Sequence, residues 1–288
     1  MMRVCGVIGQ SLKHSISAAF QQAAFDALGL DVRYHAWELS PEAIPSHLAR
    51  LRQVDALGAN VTIPYKLAVL DFIDERDPLV ERVGAANTLV NNQGRLAAYN
   101  TDVGGFLQAL RQDLHADPSG QHALVLGAGG AAHAVAIALL DSGAATLTLA
   151  SRTFERAKAL VQMLNSESRV IAIPWDLESL QSAVGRASMI VNTTPLGMLG
   201  PLQEETPLPH IHLPARILVF DLVANPLKTR LMREATAQGA RAIGGLPMLI
   251  YQGAQSFELW TGNTAPLTVM FEAAAAQMQA SSPSKGGI

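Results

Sequence analysis

Ala123-Leu124-Val125-Leu126-Gly127-Ala128-Gly129-Gly130-Ala131-Ala132 is the stretch whose reading decides the fold. Four apolar residues make a buried strand, the glycines a tight turn, and Ala131 to Ser142 a helix. In that context backbone N–H groups can approach a pyrophosphate at the helix N-terminus, where the dipole favours negative charge. Gly127, Ala128, Gly129, Gly130 and Ala131 are therefore candidate cofactor contacts. Ala132 stands where a third glycine is common, so a turn with a structural role only is the competing reading. Ala123 to Leu140 carries almost no polar residue, but its glycines and His133 argue against a membrane span.

Downstream, Thr146 to Ala150, Met189 to Asn192 and Ile217 to Asp221 read as further strands, and Thr153 to Asn165 as a helix. This alternation is the rhythm of a Rossmann-type domain. At the tip of the second strand an NAD enzyme usually presents an acid to the ribose hydroxyl, yet the chain reads Ser151-Arg152-Thr153-Phe154-Glu155-Arg156. Arg152 and Arg156 can neutralise a 2′-phosphate, with Ser151 and Thr153 as hydroxyl donors, which favours NADP over NAD. A helix start with solvated arginines is the alternative.

Upstream, Arg3 to Ile8, Arg33 to Glu38, Gly58 to Thr62 and Thr88 to Asn91 read as strands, with helices at Ser17 to Leu28, Pro41 to Arg52 and Lys66 to Ile73. A largely parallel sheet covered by helices is expected. A helix from Gly105 to Leu114 then meets the polar turn His115 to Gly120, where a hinge is placed. Two late helices, Met248 to Thr261 and Pro266 to Ala280, are expected to pack back on the N-terminal domain, with a frayed tail from Ser281 to Ile288. The expected division is α/β throughout: residues 1–103 with 247–288, and a Rossmann-type domain of residues 104–246.

With 288 residues and 49% hydrophobic side chains, the chain can fill two ordinary cores. A formal charge of −3 without a dense basic patch excludes a nucleic-acid partner. The single cysteine, Cys5, excludes an internal disulfide framework and fits a reducing cytoplasm; secretion is not expected, since Met1 to Gln10 has too short an apolar run for a signal peptide. The partner expected is a small molecule, with no membrane, for a monomer or homodimer.

Gly58-Ala59-Asn60-Val61-Thr62-Ile63-Pro64-Tyr65-Lys66 places a lysine just past a strand, and Asn100-Thr101-Asp102 closes ahead of a helix. Taken singly, Lys66 can be a solvated amine and Asp102 a helix N-cap. Together they can carry the proton that an alcohol loses along with its hydride, and can stabilise alkoxide charge. Ser15 and Ser17 flank the first helix start; one can cap it, and both, beside exposed N–H groups, can hold a small carboxylate. His14 reads as structural. No cluster has metal-ligand spacing, and no nucleophile elbow is present.

Gly58 to Lys66, Gly84-Ala85-Ala86-Asn87-Thr88, Asn100 to Asp102, Gly127 to Gly130, Ser151 to Thr153 and Gly245 to Gln252 together resemble the shikimate dehydrogenase family in order and spacing. The resemblance implies an N-terminal substrate-binding α/β domain, a Rossmann-type NADP-binding domain, and reversible NADP-dependent reduction of 3-dehydroshikimate to shikimate in aromatic amino-acid biosynthesis. By resemblance, Ser15 and Ser17 hold the substrate carboxylate. Thr62, Lys66, Asn87, Asp102 and Gln252 surround the ring hydroxyls and carbonyl, Lys66 and Asp102 being the catalytic pair. Leu222 and Gly245 lie by the nicotinamide.

The chain departs from the family pattern at several points. Gln10 and Ser11 follow Gly9 where the family reads Gly-x-Pro, and Ala18 replaces a frequent proline, changes expected to loosen the carboxylate loop. Ser151 stands for the Asn of Asn-Arg-Thr. Asp221-Leu222-Val223-Ala224-Asn225-Pro226 lacks the tyrosine of Asp-x-x-Tyr-x-Pro, which keeps a broader quinate/shikimate-type enzyme open. A non-catalytic NADP sensor is disfavoured because Lys66 and Asp102 are both retained, and a folate-type dehydrogenase because it leaves the serine pair and Gln252 unexplained.

Overall fold

In the computed structural model residues 2–165 and 169–281 are described. They form two compact units: one contains the chain up to Glu81, Ala85–Thr101 and the part from Ile250 onward; the other contains Arg82–Gly84 and Asp102–Leu249.

The first stretch runs β1 (Arg3–Gly9), α1 (Ser17–Ala27), β2 (Val32–Glu38), a 3-10 turn (Pro41–Ala43), α2 (Ile44–Arg50), β3 (Gly58–Val61), a second 3-10 turn (Ala68–Phe72), β4 (Glu75–Arg76), α3 (Pro78–Val83), β5 (Thr88–Asn92) and β6 (Arg95–Tyr99). Its sheet has the order β2-β1-β3-β5-β6-β4. β1 pairs parallel with β2 and β3, but β3–β5 and β5–β6 are antiparallel. β4 pairs parallel with β6, so three of the five pairings are parallel and the expected largely parallel sheet is mixed where β5 enters it. β5 turns back into β6 through a two-residue hairpin, Gln93-Gly94, with both φ values positive at 54° and 92°, the twist that antiparallel neighbours need. On the other side of β5, Asn60 on β3 stands opposite Thr88. Ile8, Leu48, Ala59, Val61, Tyr65, Val69 and Leu89 fill one core of this unit.

Two predicted helices are altered. Pro41 to Arg52 splits at Ala43 into a 3-10 turn and α2. The helix expected from Lys66 shrinks to Ala68–Phe72, because the Lys66 carbonyl accepts the distant Ala86 N–H at 2.8 Å while Leu70 N–H bonds back only three residues, to Leu67.

The second unit continues with α4 (Asp102–Gln112), β7 (His122–Leu126), α5 (Gly130–Asp141), β8 (Thr146–Ala150), α6 (Phe154–Leu164), β9 (Val170–Ile173), α7 (Leu177–Arg186), β10 (Met189–Asn192), β11 (Leu218–Asp221), α8 (Arg230–Ala237) and β12 (Arg241–Ile243). All pairings in the order β12-β11-β10-β7-β8-β9 are parallel. The order reverses between β7 and β10, so the carboxyl ends of these two strands mark the topological switch point where such sheets bind ligands. Helix α5 is apolar nearly all round and buried from Ala134 to Leu139, which accounts for its membrane-like sequence. The polar turn at residues 115–120 lies inside this unit.

Helices α9 (Leu246–Thr261) and α10 (Leu267–Ser281) end the described chain, and from Ile250 onward they belong to the first unit. There α10 packs along α1, Phe257 of α9 meets Phe25 with ring centroids 4.9 Å apart, and Trp260 Nε1 donates to Leu89 O at 2.9 Å. Gly58 begins β3 at φ +146°, where any side chain would meet Leu89 O and the Trp260 indole, so only glycine fits. The tail expected to fray is helical at Ser281, and residues 282–288 lie outside the described residues. No described helix is long and apolar enough to cross a membrane.

Candidate active site

The first unit buries a polar web where its sheet meets α9. Asn87 Oδ1 accepts the Thr101 backbone N–H at 2.8 Å, and Asn87 Nδ2 donates to Thr101 Oγ1 at 2.8 Å and to Gln252 Oε1 at 3.0 Å. Asn60 takes the Tyr34 hydroxyl proton on Oδ1 at 2.7 Å and donates through Nδ2 to Ser256 Oγ at 2.9 Å and Asn87 O at 3.2 Å. Ser256 Oγ also lies 2.7 Å from Thr88 Oγ1. In an apolar interior such groups must satisfy one another, which fixes each side chain in one orientation.

Lys66 and Thr62 sit half-buried at the end of β3. The turn that carries them is held by Thr62 N–H to Ile8 O at 2.9 Å and Tyr65 N–H to Thr62 O at 2.9 Å, while the Tyr65 ring is buried and its hydroxyl donates to Leu39 O at 2.6 Å. Ser17 opens α1 after Ile16, the N-cap residue, so neither serine is the cap; Ser15 Oγ accepts the Ser17 N–H at 3.3 Å. Both serines are half-buried and His14 is exposed, contrary to its structural reading. The expected loosening of this loop is opposed by two ties: Leu12 N–H donates to Glu38 Oε1 at 2.6 Å and Ser15 N–H to Leu12 O at 2.8 Å. Cys5 is fully buried, and burial pushes its thiol well above the usual range, so it is inert.

In the second unit Asp102 is the first residue of α4 and is buried. Gly127 leaves β7 at φ +117°, and any side chain there would strike Thr193 Oγ1. Gly129 is the N-cap of α5 in extended conformation, with open space beside it and no capping side chain. The first N–H groups of α5 therefore carry no side-chain cap among the described residues. Past β8, Ser151 is buried, whereas Arg152, Thr153 and Arg156 are exposed. Thr153 is the N-cap of α6 with no side-chain cap bond, and among the described residues neither guanidinium is in an ion pair.

At the ends of β10 and β11 lies a carboxylate whose role sequence reading missed. Asp221, fully buried, accepts from Thr229 Oγ1 at 2.6 Å, Asn192 Nδ2 at 2.9 Å and the Val223 N–H at 3.1 Å. Burial raises its pKa to about 6, against the pull of those three donors. The segment it anchors holds Leu222 N–H to Asn192 O at 2.9 Å and Gly245 N–H to Val223 O at 2.9 Å, and Ala224 is half-buried. Among the described residues no group of three or more His, Cys, Asp and Glu could hold a metal ion.

Comparison with known proteins places these features in one lineage. Residues 7–89 match the shikimate dehydrogenase substrate binding domain, residues 109–201 the shikimate/quinate 5-dehydrogenase family and residues 245–274 the shikimate 5'-dehydrogenase C-terminal domain. The shikimate dehydrogenase (NADP(+)) of Moorella thermoacetica is 43% identical over 96% of this chain and 94% of its own. The chain belongs to the shikimate dehydrogenase family. Among solved structures, shikimate 5-dehydrogenase from Thermus thermophilus, in complex with NADP(H) and shikimate, superposes with a TM-score of 0.85 at 39% identity, covering 96% of this chain and 100% of that one. Quinate dehydrogenase from Corynebacterium glutamicum, in complex with NAD, has the same TM-score at 30% identity, over 95% and 99%.

For a shikimate dehydrogenase family member the structure brings Asn87 and Gln252, far apart in sequence, into direct contact. The sequence reading did not single out Asn60, Thr88 and Ser256 as parts of that web. One signal was available: Ser256 stands four residues after Gln252 in a helical pattern, on the same face of α9.

Proposed function

We infer that the chain catalyses the reversible, NADP-dependent reduction of 3-dehydroshikimate to shikimate, a step of chorismate and aromatic amino-acid biosynthesis. The observation that carries this reading is the Thr101–Asn87–Gln252 amide chain, a polar site suited to ring hydroxyls, in a chain of this family. The division of labour is a substrate domain of residues 1–103 and 247–288 and a cofactor domain of residues 104–246.

In this reading Ser15 and Ser17 hold the carboxylate, and Thr62, Asn87 and Gln252 take the ring hydroxyls. Lys66 gives its proton to the ketone oxygen in the reducing direction and stabilises the developing alkoxide; Asp102 orients and balances that ammonium. Bound NADPH supplies the hydride. The residues present fit it: Gly127 makes the turn, its own N–H donating to Ala150 O at 2.7 Å, and Ala128, Gly129, Gly130 and Ala131 bring the uncapped start of α5 to the pyrophosphate. Ser151, Arg152, Thr153 and Arg156 hold the 2′-phosphate, and Leu222 and Gly245 bound the nicotinamide end. Exposed arginines without ion pairs support the phosphate role, since a guanidinium fork matches phosphate oxygens bidentately. The enzyme works on small molecules in the cytoplasm, as a monomer or homodimer.

Quinate is the second substrate to consider, because Ala224 supplies no hydroxyl where the family has tyrosine, and a quinate dehydrogenase shares the fold. Steady-state rates of the purified protein with shikimate and quinate, each with NADP and NAD, decide. The highest kcat/KM is expected for shikimate with NADP. No turnover with any pair refutes the enzyme, and a higher kcat/KM with NAD refutes the roles of Arg152 and Arg156.

A further inference from the structure

The amides of Asn87 and Gln252 have two ends each, and a ligand meets a donor or an acceptor according to which end faces it. The Thr101 N–H is a donor and nothing else, so the Asn87 atom 2.8 Å from it must be oxygen. Asn87 is thereby left with Nδ2 as the atom that reaches Gln252, and the Gln252 atom 3.0 Å away must accept, hence Oε1. A backbone N–H thus commits Gln252 Nε2 to be the donor end.

This polarity holds only while the two side chains stay in register, and one buried group touches every segment involved. Ser256 is fully buried on α9, one turn beyond Gln252. Its hydroxyl donates to Gln252 O at 3.0 Å and accepts from Asn60 Nδ2 at 2.9 Å. Thr88 Oγ1 at 2.7 Å and Thr101 Oγ1 at 3.3 Å are its other hydroxyl neighbours, and in each pair either oxygen can donate. One oxygen therefore ties α9 to β3, to the start of β5 and to the segment that ends at Thr101. The other bonds of these groups are longer: Asn60 Nδ2 is 3.2 Å from Asn87 O and 3.4 Å from Thr88 Oγ1, and Thr88 Oγ1 is 3.2 Å from Asn87 Oδ1 and 3.4 Å from Thr101 Oγ1.

We propose that Ser256 is a positioning residue of the substrate site: its hydroxyl holds Asn87 and Gln252 in the arrangement that presents Gln252 Nε2 as a hydrogen-bond donor to a substrate hydroxyl oxygen. The proposal rests on the shikimate reading for the identity of the ligand, but not for the arrangement of the amides. Removing the hydroxyl takes from Asn60 and Thr88 their shorter bonds to α9 and leaves them the longer ones, two of which go to Asn87 itself, so tightening these moves the Asn87–Gln252 pair.

The test is a double-mutant cycle of Ser256→Ala and Gln252→Ala with shikimate and NADP, joined to the side-chain amide NMR signals of Asn87 and Gln252 in the ligand-free protein. Ser256→Ala is expected to raise KM for shikimate about tenfold, to leave KM for NADP within about twofold, and to add nothing in the Gln252→Ala background. It is also expected to shift and broaden both amide signals. Unchanged KM for shikimate, losses that add in the double variant, or amide signals identical to wild type each overturn the proposal. Wild-type protein that turns over neither shikimate nor quinate refutes the enzyme reading alone, and the amide signals then judge Ser256 without it. Ser256→Cys keeps the volume while losing most of the hydrogen bonding, and takes the same place in the cycle if the alanine variant does not fold.

Discussion

Replacing Asp221 by asparagine should change how stability depends on pH, with a sign opposite to the usual aspartate. The native carboxylate titrates at about 6, against an ordinary value of 3.8, because burial outweighs its three donors. A raised folded pKa means that the contribution of this group is complete below pH 3.8 and is lost as pH climbs through 6. At 1.36 kcal/mol per factor of ten the whole loss amounts to about 3 kcal/mol, of which about 2 kcal/mol fall between roughly pH 4.5 and 7.5. Asparagine has the same shape and keeps the bonds from Asn192 and the Val223 N–H on its oxygen, while the bond with Thr229 Oγ1, in which the hydroxyl donates to Asp221, has to reverse; that cost does not vary with pH. Urea unfolding, followed by amide exchange in peptides spanning β10 and β11, measures the stability of both proteins across that range. Wild type should lose about 2 kcal/mol relative to Asp221→Asn on going from acid to neutral pH. A flat difference would show that Asp221 titrates normally, and a wild type that gains relative stability as pH rises would show that its donors outweigh burial; either refutes the reasoning.

Lys66→Ala should lower kcat by about a hundredfold or more while KM for shikimate changes far less; a loss confined to KM would make the lysine a binding group only. Arg152→Ala should raise KM for NADP about tenfold and leave NAD kinetics nearly untouched, the difference being a charge-assisted hydrogen bond to phosphate. Equal losses with both cofactors would assign it to the fold instead. Gly127→Ala should cost about 1–3 kcal/mol of stability in thermal melts and abolish NADP binding in titration calorimetry, because φ +117° and Thr193 leave no room for a methyl. Near-normal binding would mean that the turn has slack.

Much of the second unit was legible because its signals are local. Gly127 and Gly129 punctuate a strand and a helix of unmixed apolar character, and both boundaries fall within a residue of the reading. The first unit hid more, since its decisive bonds are distant. Lys66 looks helical until Ala86 claims its carbonyl. β6 was missed because Arg95-Leu96-Ala97-Ala98-Tyr99 has no β-branched residue, although Gln93-Gly94 resembles the Asn-Gly of a tight hairpin. Asp221 drew notice only as the first residue of a motif, because its burial comes from β10 and from the start of α8. Ser256 fell within a stretch read only as a helix; its spacing of four from Gln252 puts the two on one face, but the partners its hydroxyl joins lie on distant segments.

The discontinuity of the first unit bears on how the chain is made. Asp102–Leu249 is complete in sequence before Ile250 is added, whereas the sheet of the first unit has to wait for α9 to bring Phe257 against Phe25, Trp260 onto Leu89 and Ser256 onto Asn60. At about 5–20 residues per second, the time from Thr101 to Trp260 is on the order of ten to thirty seconds. During that interval the ribosome carries an N-terminal sheet without its last covering helices, and a message truncated inside α9 yields a finished cofactor-type unit attached to an unfinished partner, a product suited to proteolysis rather than to use.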